Sequence, residues 1–585
     1  MAAAAAKKLI NEPDNVVDEA IDGLVLTTPG VRRLEGYTVL VRENLDKSKV
    51  AVVSGGGSGH EPSHGGWVGE GMLSAAVPGA VFASPSTASV LAAILHVTGA
   101  GGCLVIVKNY TGDRLNFGLA CEQAKAAGLK VEMLVVGDDC ALPHRTGGLA
   151  GRRGVAGTVL VHKVAGAAAE AGLSLEQVTQ EAAAAAGACG SMGVALASCS
   201  LPGKPADDRI APGKMEVGLG IHGEPGAAVA PLASADAIVD QLLATIMSQE
   251  EGRGYLSLPQ GAQVALLVNN LGGSTQLELA IAVRRAVATL EGPGYGLVVA
   301  RCYCGSFMTA LDMAGLSLSL LQCDDARLAR LDAPTACASF PRSGVLSRAP
   351  PLKAPLLPSS NAAAAATGPP LGPPRLSEAQ QAAVGKAIKA MAEAVVAAEP
   401  TLTEWDTKVG DGDCGDTLKA GAMAMLEDLP NYPLGHPQPL LQAVARSLAR
   451  SMGGSSGALY SIFLNGAAAA IDPAAAPSAA EQAAAFGAGN AAISKYGGAG
   501  AGDRTMLDAM IPAAAAAASA AGGTLGAMLA AAAKAGEAGV EATMGMGAEA
   551  GRSSYVPVEV LRTVPDPGAK GVAVWLRALA DSAAA

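Results

Sequence analysis

The stretch LSRAPPLKAPLLPSSNAAAAATGPPLGPPR, residues 346–375, decides how the chain divides. It has neither the two-residue period of a strand nor the 3.6-residue period of a helix, and its prolines remove backbone donors and hold the backbone extended. Such a composition suits a semi-rigid linker. It separates a first domain, 1–345, from a second, 376–585.

Upstream, short β-rich runs alternate with helical ones. VAVVSGG, CLVIVKNYTGD, KVEMLVVGDD and VALLVNN each end in Gly, Asp or Asn, and the helix-like FGLACEQAKAAGL lies between two of them. The pattern predicts an α/β domain of two subdomains, with ligand groups just past the carboxyl ends of strands. SGGGSGHEP, Ser54–Pro62, and KNYTGD, Lys108–Asp113, fall at such places. Downstream, Ser377 and Gln380 form a capping box that opens a helix continuing to Pro400. Alanine-rich helical stretches broken by glycine clusters follow, so the second domain is expected to be helical with its chemistry in interhelical loops.

Composition bounds the function. The 585 residues exceed what one core serves, and 50% hydrophobic with 16% charged residues describes a folded chain. Only 3% are aromatic, so packing must rely on close approach of small side chains. A net charge of -11 without basic blocks argues against a nucleic-acid surface. The ten cysteines lack zinc-ligand spacing, and Cys302 and Cys304 stand too close to staple the fold; free thiols in a reducing, cytoplasmic setting are expected. The start, MAAAAAKKLINEPDN, has no signal-peptide core. Met510–Ala533 is uncharged but mostly alanine, which predicts a pair of small-residue helices in a soluble domain rather than a membrane span.

The densest chemistry is DTKVGDGDCGD, Asp406–Asp416. Carboxylates crowded this closely repel one another unless a hard cation reverses the sign, and the glycines let Asp406, Asp411 and Asp413 converge on one ion or two. A calcium loop begun at Asp411 fails, with Asp416 in place of the central glycine and Ala422 in place of the closing glutamate. Mg²⁺ shared with substrate phosphates fits better; a solvated acidic turn is the plainer alternative. In SMGGSSGALYSIFL, Ser451–Leu464, backbone amides and the Ser455 and Ser456 hydroxyls stand at a helix start suited to phosphate, or simply form a packing turn. Its G-x-S-x-G match lacks a later histidine and is accidental. In GDRTMLDAMIP, Gly502–Pro512, Arg504 offers a forked donor to phosphate or to a structural carboxylate.

In the first domain, SGGGSGHEP forms a glycine nest with His60 placed to exchange a proton, while His64 reads as structural or exposed. Asp113 in KNYTGD is a base, a hydroxyl anchor or a turn residue. His222 in GLGIHGEPG has glycines on both sides that leave its imidazole accessible.

Taken in order, KKLINEPDNVVDEAIDGL, VVSGGGSGHEPSHGGWVGEGML, VKNYTGDRLNFGLA, GRRGVAGTVLVHKVAGAAAEAG, GLGIHGEPG, SFMTALDMAGLSLSLL, VGDGDCGD, SMGGSSGALYSIFL and GDRTMLDAMIPA resemble the ATP-dependent dihydroxyacetone (glycerone) kinases of the single-chain kind, similar to triokinase/FMN cyclase. The resemblance implies an α/β sugar-binding region followed by an all-α eight-helix barrel that binds the nucleotide. It implies that His222 forms a hemiaminal with the triose carbonyl, that Asp113 is the base for the attacking hydroxyl, and that His60 assists addition. Gly57, Ser58, Gly59 and Lys108 would line the sugar pocket. Asp406, Asp411 and Asp413 would hold two Mg²⁺ on ATP. Cys414, Gly415, Gly454, Ser455, Ser456, Arg504 and the Asp566, Pro567, Gly568 loop would contact the nucleotide together with Asp413. A homodimer is implied, with the donor domain of one chain serving the other's sugar pocket. The resemblance also implies glyceraldehyde as a second acceptor, with Mn²⁺- or Mg²⁺-dependent cleavage of FAD to cyclic FMN as the alternative activity. A phosphotransfer subunit or a sugar sensor is disfavoured by the joined donor domain. Asp416 departs from the family's small or hydroxyl residue there and adds charge near the metals.

Overall fold

The computed structural model describes residues 5–141, 151–207, 209–250, 255–354, 371–549 and 552–584. The centre of the proline-rich stretch, 355–370, thus lies outside the described residues. Two compact units, Met1–Pro350 and Pro351–Ala585, divide the chain.

The first unit contains two six-stranded sheets. One has the order β1 (Val31–Arg33), β2 (Leu40–Arg42), β4 (Ala75–Val81), β3 (Ala51–Ser58), β5 (Cys103–Lys108), β6 (Val131–Val136), and is parallel from β4 to β6. Helices α1 (Val16–Thr27), α2 (Thr87–Val97) and α3 (Thr111–Ala126) belong to this half. Every residue of β3 is buried, which is why the run reads as continuously apolar and then as glycine. The strand carries on through Gly55–Ser58, because a Cβ at Gly57 would lie 2.6 Å from the Ala83 nitrogen of the neighbouring turn.

Helices α4 (Thr158–Glu170) and α5 (Leu175–Gly187) lead into the second sheet. Its order is β11 (Val298–Gly305), β10 (Gln263–Asn270), β12 (Gly315–Cys323), β7 (Cys189–Ala195), β8 (Lys214–Val217), β9 (Ala228–Pro231). Only β10 and β11 run parallel. Helices α6 (Ala235–Ile246), α7 (Gln276–Glu291) and α8 (Asp325–Asp332) complete the unit. His222 lies in the turn from β8 to β9.

The second unit is helical: α9 (Glu378–Val409), α10 (Cys414–Asp428), α11 (Pro437–Ser451), α12 (Gly454–Ala469), α13 (Ala479–Gly497), α14 (Leu507–Ala520), α15 (Leu525–Ala542), the short α16 (Val558–Leu561) and α17 (Pro567–Ala584). The Ser377–Gln380 capping box opens α9 as expected, but the helix does not stop at Pro400. It runs a further nine residues to Val409, since packing against α10 and α17 compensates the one backbone donor that proline lacks. Each long helix packs on the next, and α17 packs back on α9, closing a ring of eight. Small residues permit the approach: a Cβ at Gly536 of α15 would lie 2.9 Å from Leu576 of α17. The ring encloses an apolar cavity of about 540 Å³ between residues such as Val384, Met391, Phe463, Met528 and Leu576, apart from the polar loops. Met510–Ala533 forms most of α14 and the start of α15, and among the described residues no helix is long and apolar enough to cross a membrane. All ten cysteines are free thiols.

Candidate active site

At the carboxyl end of β3 the backbone turns through Gly59 at φ +101°, where a Cβ would lie 2.8 Å from the Phe82 ring. Glycine therefore lets Phe82 stack on His60, with centroids 5.1 Å apart, and meet His222 edge-on at 5.2 Å. His60 and His222 are themselves edge-to-face at 4.7 Å. Two histidines far apart in sequence thus share one pocket.

Burial, reinforced by the charges of Lys108 and His222, pushes the His60 imidazole well below its ordinary pKa. The ring is neutral, and its Nδ1, 2.7 Å from the Thr309 carbonyl oxygen, must be the protonated nitrogen. That leaves Nε2 as a buried lone pair with no hydrogen-bond partner among the described residues. His222 is oriented differently. Its Nδ1 lies 2.8 Å from Glu224 Oε1, and its backbone N–H donates to Glu224 Oε2 at 3.0 Å. Burial raises the Glu224 pKa, but the hydrogen bond from His222, its charge and backbone amides outweigh this and bring it down to about 2.

Lys108 and Asp113 flank the space above Gly56. A Cβ there would sit 3.3 Å from Lys108 Cε and 3.6 Å from Asp113 Oδ2, so the missing side chain leaves room for a small ligand against both. Lys108 is fully buried, its Nζ has no hydrogen-bond partner among the described residues, and burial lowers its pKa against the pull of Asp113 and Glu224. Asp113 stands in the first turn of α3, where Ser84 Oγ donates to Oδ1. Ser58 Oγ donates to the Gly79 carbonyl at 2.7 Å, which secures the turn, while Gly57 and Gly59 supply close backbone. Tyr110 closes the pocket edge-on to His222 at 4.7 Å, with a buried hydroxyl that has no partner among the described residues.

The sequence reading passed over Glu224, Phe82, Tyr110 and Ser84. Only Glu224 carried a usable signal, a carboxylate two residues after an exposed-looking histidine. His64 is buried, 3% exposed, and its ring lies 5.3 Å from that of His162. Burial lowers the pKa of His60, His64 and His162, the last to about 3. The unfolded chain binds protons near pH 6.5 that these folded imidazoles refuse, so stability is full above that value and falls as pH drops below it. For the three together the expected loss at one unit below 6.5 is about 4 kcal/mol. Urea unfolding of the first unit at pH 7.5 and 5.5 checks this; an unchanged midpoint refutes it.

In the second unit Asp406 ends α9, Asp411 lies in the loop and Asp413 precedes α10. One carboxylate oxygen from each lies within 4.8 Å of the others. Asp406 is buried and accepts the Cys414 N–H at 3.0 Å, whereas Asp411 and Asp413 are exposed. Oxygen-only donors with an open side fit Mg²⁺, which keeps water or phosphate in part of its shell. Asp416 is exposed in the first turn of α10 and outside this converging set. A Cβ at Gly415 would collide with Thr403, so glycine lets α10 start against α9. Burial and the neighbouring carboxylates push the Cys414 thiol up to about 12.

The loops after α9, α13 and α15 touch one another. Ser553 Oγ donates to the Val409 carbonyl at 2.8 Å, and Gly568 packs near Met506. Gly454 at φ +63° and Ser455 are exposed at the start of α12, with Ser456 half-buried beside them. Asp566 is buried and pushed up to about 6 by burial; its Oδ1 accepts the Ala569 N–H at 2.8 Å, which caps α17 beside Pro567 and Gly568. Arg504, 1% exposed, donates through Nη2 to the Leu561 and Val564 carbonyls at 2.9 and 2.8 Å, with Nη1 3.9 Å from Asp566. It holds the floor of this loop cluster together.

Comparison with known proteins agrees with this division. The Dak1 domain model matches residues 22–339 and the DAK2 domain model residues 408–581. The chain is 51% identical to a protein of Solanum lycopersicum named "Putative 3,4-dihydroxy-2-butanone kinase", over 98% of each. It is 43% identical to the triokinase/FMN cyclase of Homo sapiens, over 98% of this chain and 99% of that one. Among solved structures, the dihydroxyacetone kinase from C. freundii in complex with AMP-PNP and Mg²⁺ is 37% identical, covers 99% of this chain and 100% of its own, and has a TM-score of 0.66. Identity of this extent over both units places the chain in the family of ATP-dependent dihydroxyacetone kinases and triokinases, and it is an enzyme of that family.

Proposed function

We propose that the first unit captures dihydroxyacetone as a covalent adduct on His222 and that ATP, bound at the acidic end of the second unit, phosphorylates it. Glyceraldehyde is proposed as a second acceptor, and a homodimer as the assembly. The observation that carries this reading is the pairing of His222, whose Nδ1 is engaged by Glu224, with His60, Lys108 and Asp113 in one buried pocket.

Attack of His222 Nε2 on the carbonyl carbon forms the C–N bond as the π pair moves to oxygen. His60 Nε2, a lone pair at rest, relays a proton from the medium to that oxygen and takes it back when the adduct breaks. The tether fixes a three-carbon ligand too small for many contacts. Asp113 accepts the proton of the primary hydroxyl as its oxygen bonds to the terminal phosphorus and ADP leaves; Lys108 keeps positive charge beside that carboxylate. Asp406, Asp411 and Asp413 are the residues proposed to hold Mg²⁺, one ion or two, and such ions neutralise the terminal phosphates of ATP. The exposed amides at Gly454 and Ser455, with Ser456, receive phosphate oxygens, and the Asp413–Gly415 and Asp566–Gly568 backbones border the nucleotide, with Arg504 as their support.

Release of ADP that depends on dihydroxyacetone, with no phosphocarrier protein present, is the expected result. ATP-independent or triose-independent behaviour overturns the proposal. Parallel assays with 3,4-dihydroxy-2-butanone, and with FAD plus Mn²⁺ or Mg²⁺ scored for cyclic FMN, separate the activities named in the relatives; the second needs no His222 adduct.

A further inference from the structure

We infer that Glu224 is a positioning residue that fixes the tautomer of His222, so that the nitrogen facing the pocket is the nucleophile. The inference rests on the adduct proposed above and extends it to a residue that the sequence reading did not single out. A carboxylate has two acceptors and no donor. In this turn one oxygen takes the His222 backbone N–H at 3.0 Å and the other lies 2.8 Å from Nδ1. Held as an anion down to about pH 2, Glu224 can meet Nδ1 only if that nitrogen carries the hydrogen. In the neutral imidazole Nε2 is then the lone pair.

The turn is built to keep this arrangement. Gly220 donates to the Glu224 carbonyl at 2.9 Å, and a Cβ at Gly220 would collide with the Glu224 carboxylate. Arg153, paired with Asp139 at 2.6 Å, donates to the Gly218 carbonyl at 2.6 Å. Arg209 donates to the Gly223 carbonyl at 2.9 Å from the other side. When Nε2 bonds to the carbonyl carbon, the π pair goes to oxygen, which takes one proton relayed from the medium through His60 Nε2. The His222 ring becomes an imidazolium whose Nδ1–H still faces the Glu224 carboxylate, so the new charge is paired.

This predicts an unusual order of variants. A glutamine has one acceptor and one donor. The backbone N–H of His222 claims the oxygen, the amide NH₂ then faces Nδ1, and the proton is driven to Nε2, where it blocks attack. Alanine leaves both tautomers accessible. Glu224→Gln should therefore reduce kcat/KM for dihydroxyacetone by about 100-fold, and more than Glu224→Ala does, with ATP affinity unchanged in both. A role in packing alone predicts the reverse order, since glutamine preserves shape.

Two spectroscopic readings decide it on the full chain. In protein labelled with ¹⁵N-histidine, the His222 resonances, assigned by their loss in His222→Ala, should report Nδ1–H in the parent and Nε2–H in Glu224→Gln. With [2-¹³C]dihydroxyacetone, the tetrahedral carbon signal should be strong in the parent and depleted in Glu224→Gln. Unchanged tautomer and undiminished capture in Glu224→Gln overturn the inference and leave the adduct standing. A tetrahedral signal that persists in His222→Ala overturns the adduct itself.

Discussion

His222→Ala is expected to abolish the tetrahedral ¹³C signal of bound dihydroxyacetone and to lower triose-dependent ADP release by at least about 10³-fold. Among the described residues no other pocket group is placed to replace it. The unpaired lone pair of His60 lies at a ring 4.7 Å away and is positioned to exchange a proton, and Lys108 is fully buried at the Gly56 side. Affinity for ATP, measured by calorimetry, should stay within about twofold because the substitution touches no nucleotide-binding residue. An alanine variant that still turns over triose at a tenth of the parent rate would remove the covalent step from the mechanism.

The complementary loss belongs to the acidic loop. Asp411→Asn keeps the shape of an exposed side chain while removing one of three converging charges, so it tests the site without disturbing Asp406, whose carboxylate also caps the start of α10. The expected fall in kcat is about 10²- to 10³-fold, with weakened Mg²⁺-dependent nucleotide binding and undiminished ¹³C capture of dihydroxyacetone. Equal turnover and equal Mg²⁺ dependence in parent and variant would show that these carboxylates serve another purpose. Together the two variants separate acceptor from donor: one loses the triose and keeps the nucleotide, and the other does the opposite.

Much of this was legible from local chemistry. The Asp406–Asp416 run announced a cation site because like charges at such density need a counter-charge, and spacing alone argued against a calcium loop. Ser377 and Gln380 announced a helix start because a cap is a property of four residues. The end of that helix was misjudged: the proline signal is local, whereas the packing on α10 and α17 that carries the helix past Pro400 is not. Arg504 illustrates the same limit. Its type left phosphate and carboxylate equally open, and only the fold shows it buried with its Nη2 on two backbone carbonyls.

The sequence by itself determined the two kinds of unit, the capped helices, the glycine nest after β3 and the carboxylates available to a metal, since each follows from the preferences of a few neighbouring residues. Tertiary structure alone decided that His60 meets His222 across two sheets, that Asp416 stays outside the converging set, and that eight helices close into a ring in which the loops after α9, α13 and α15 touch. The physical reason is that propensity and charge act between near neighbours in the chain, whereas burial, proton placement and convergence of ligands depend on which distant segments exclude water from one another.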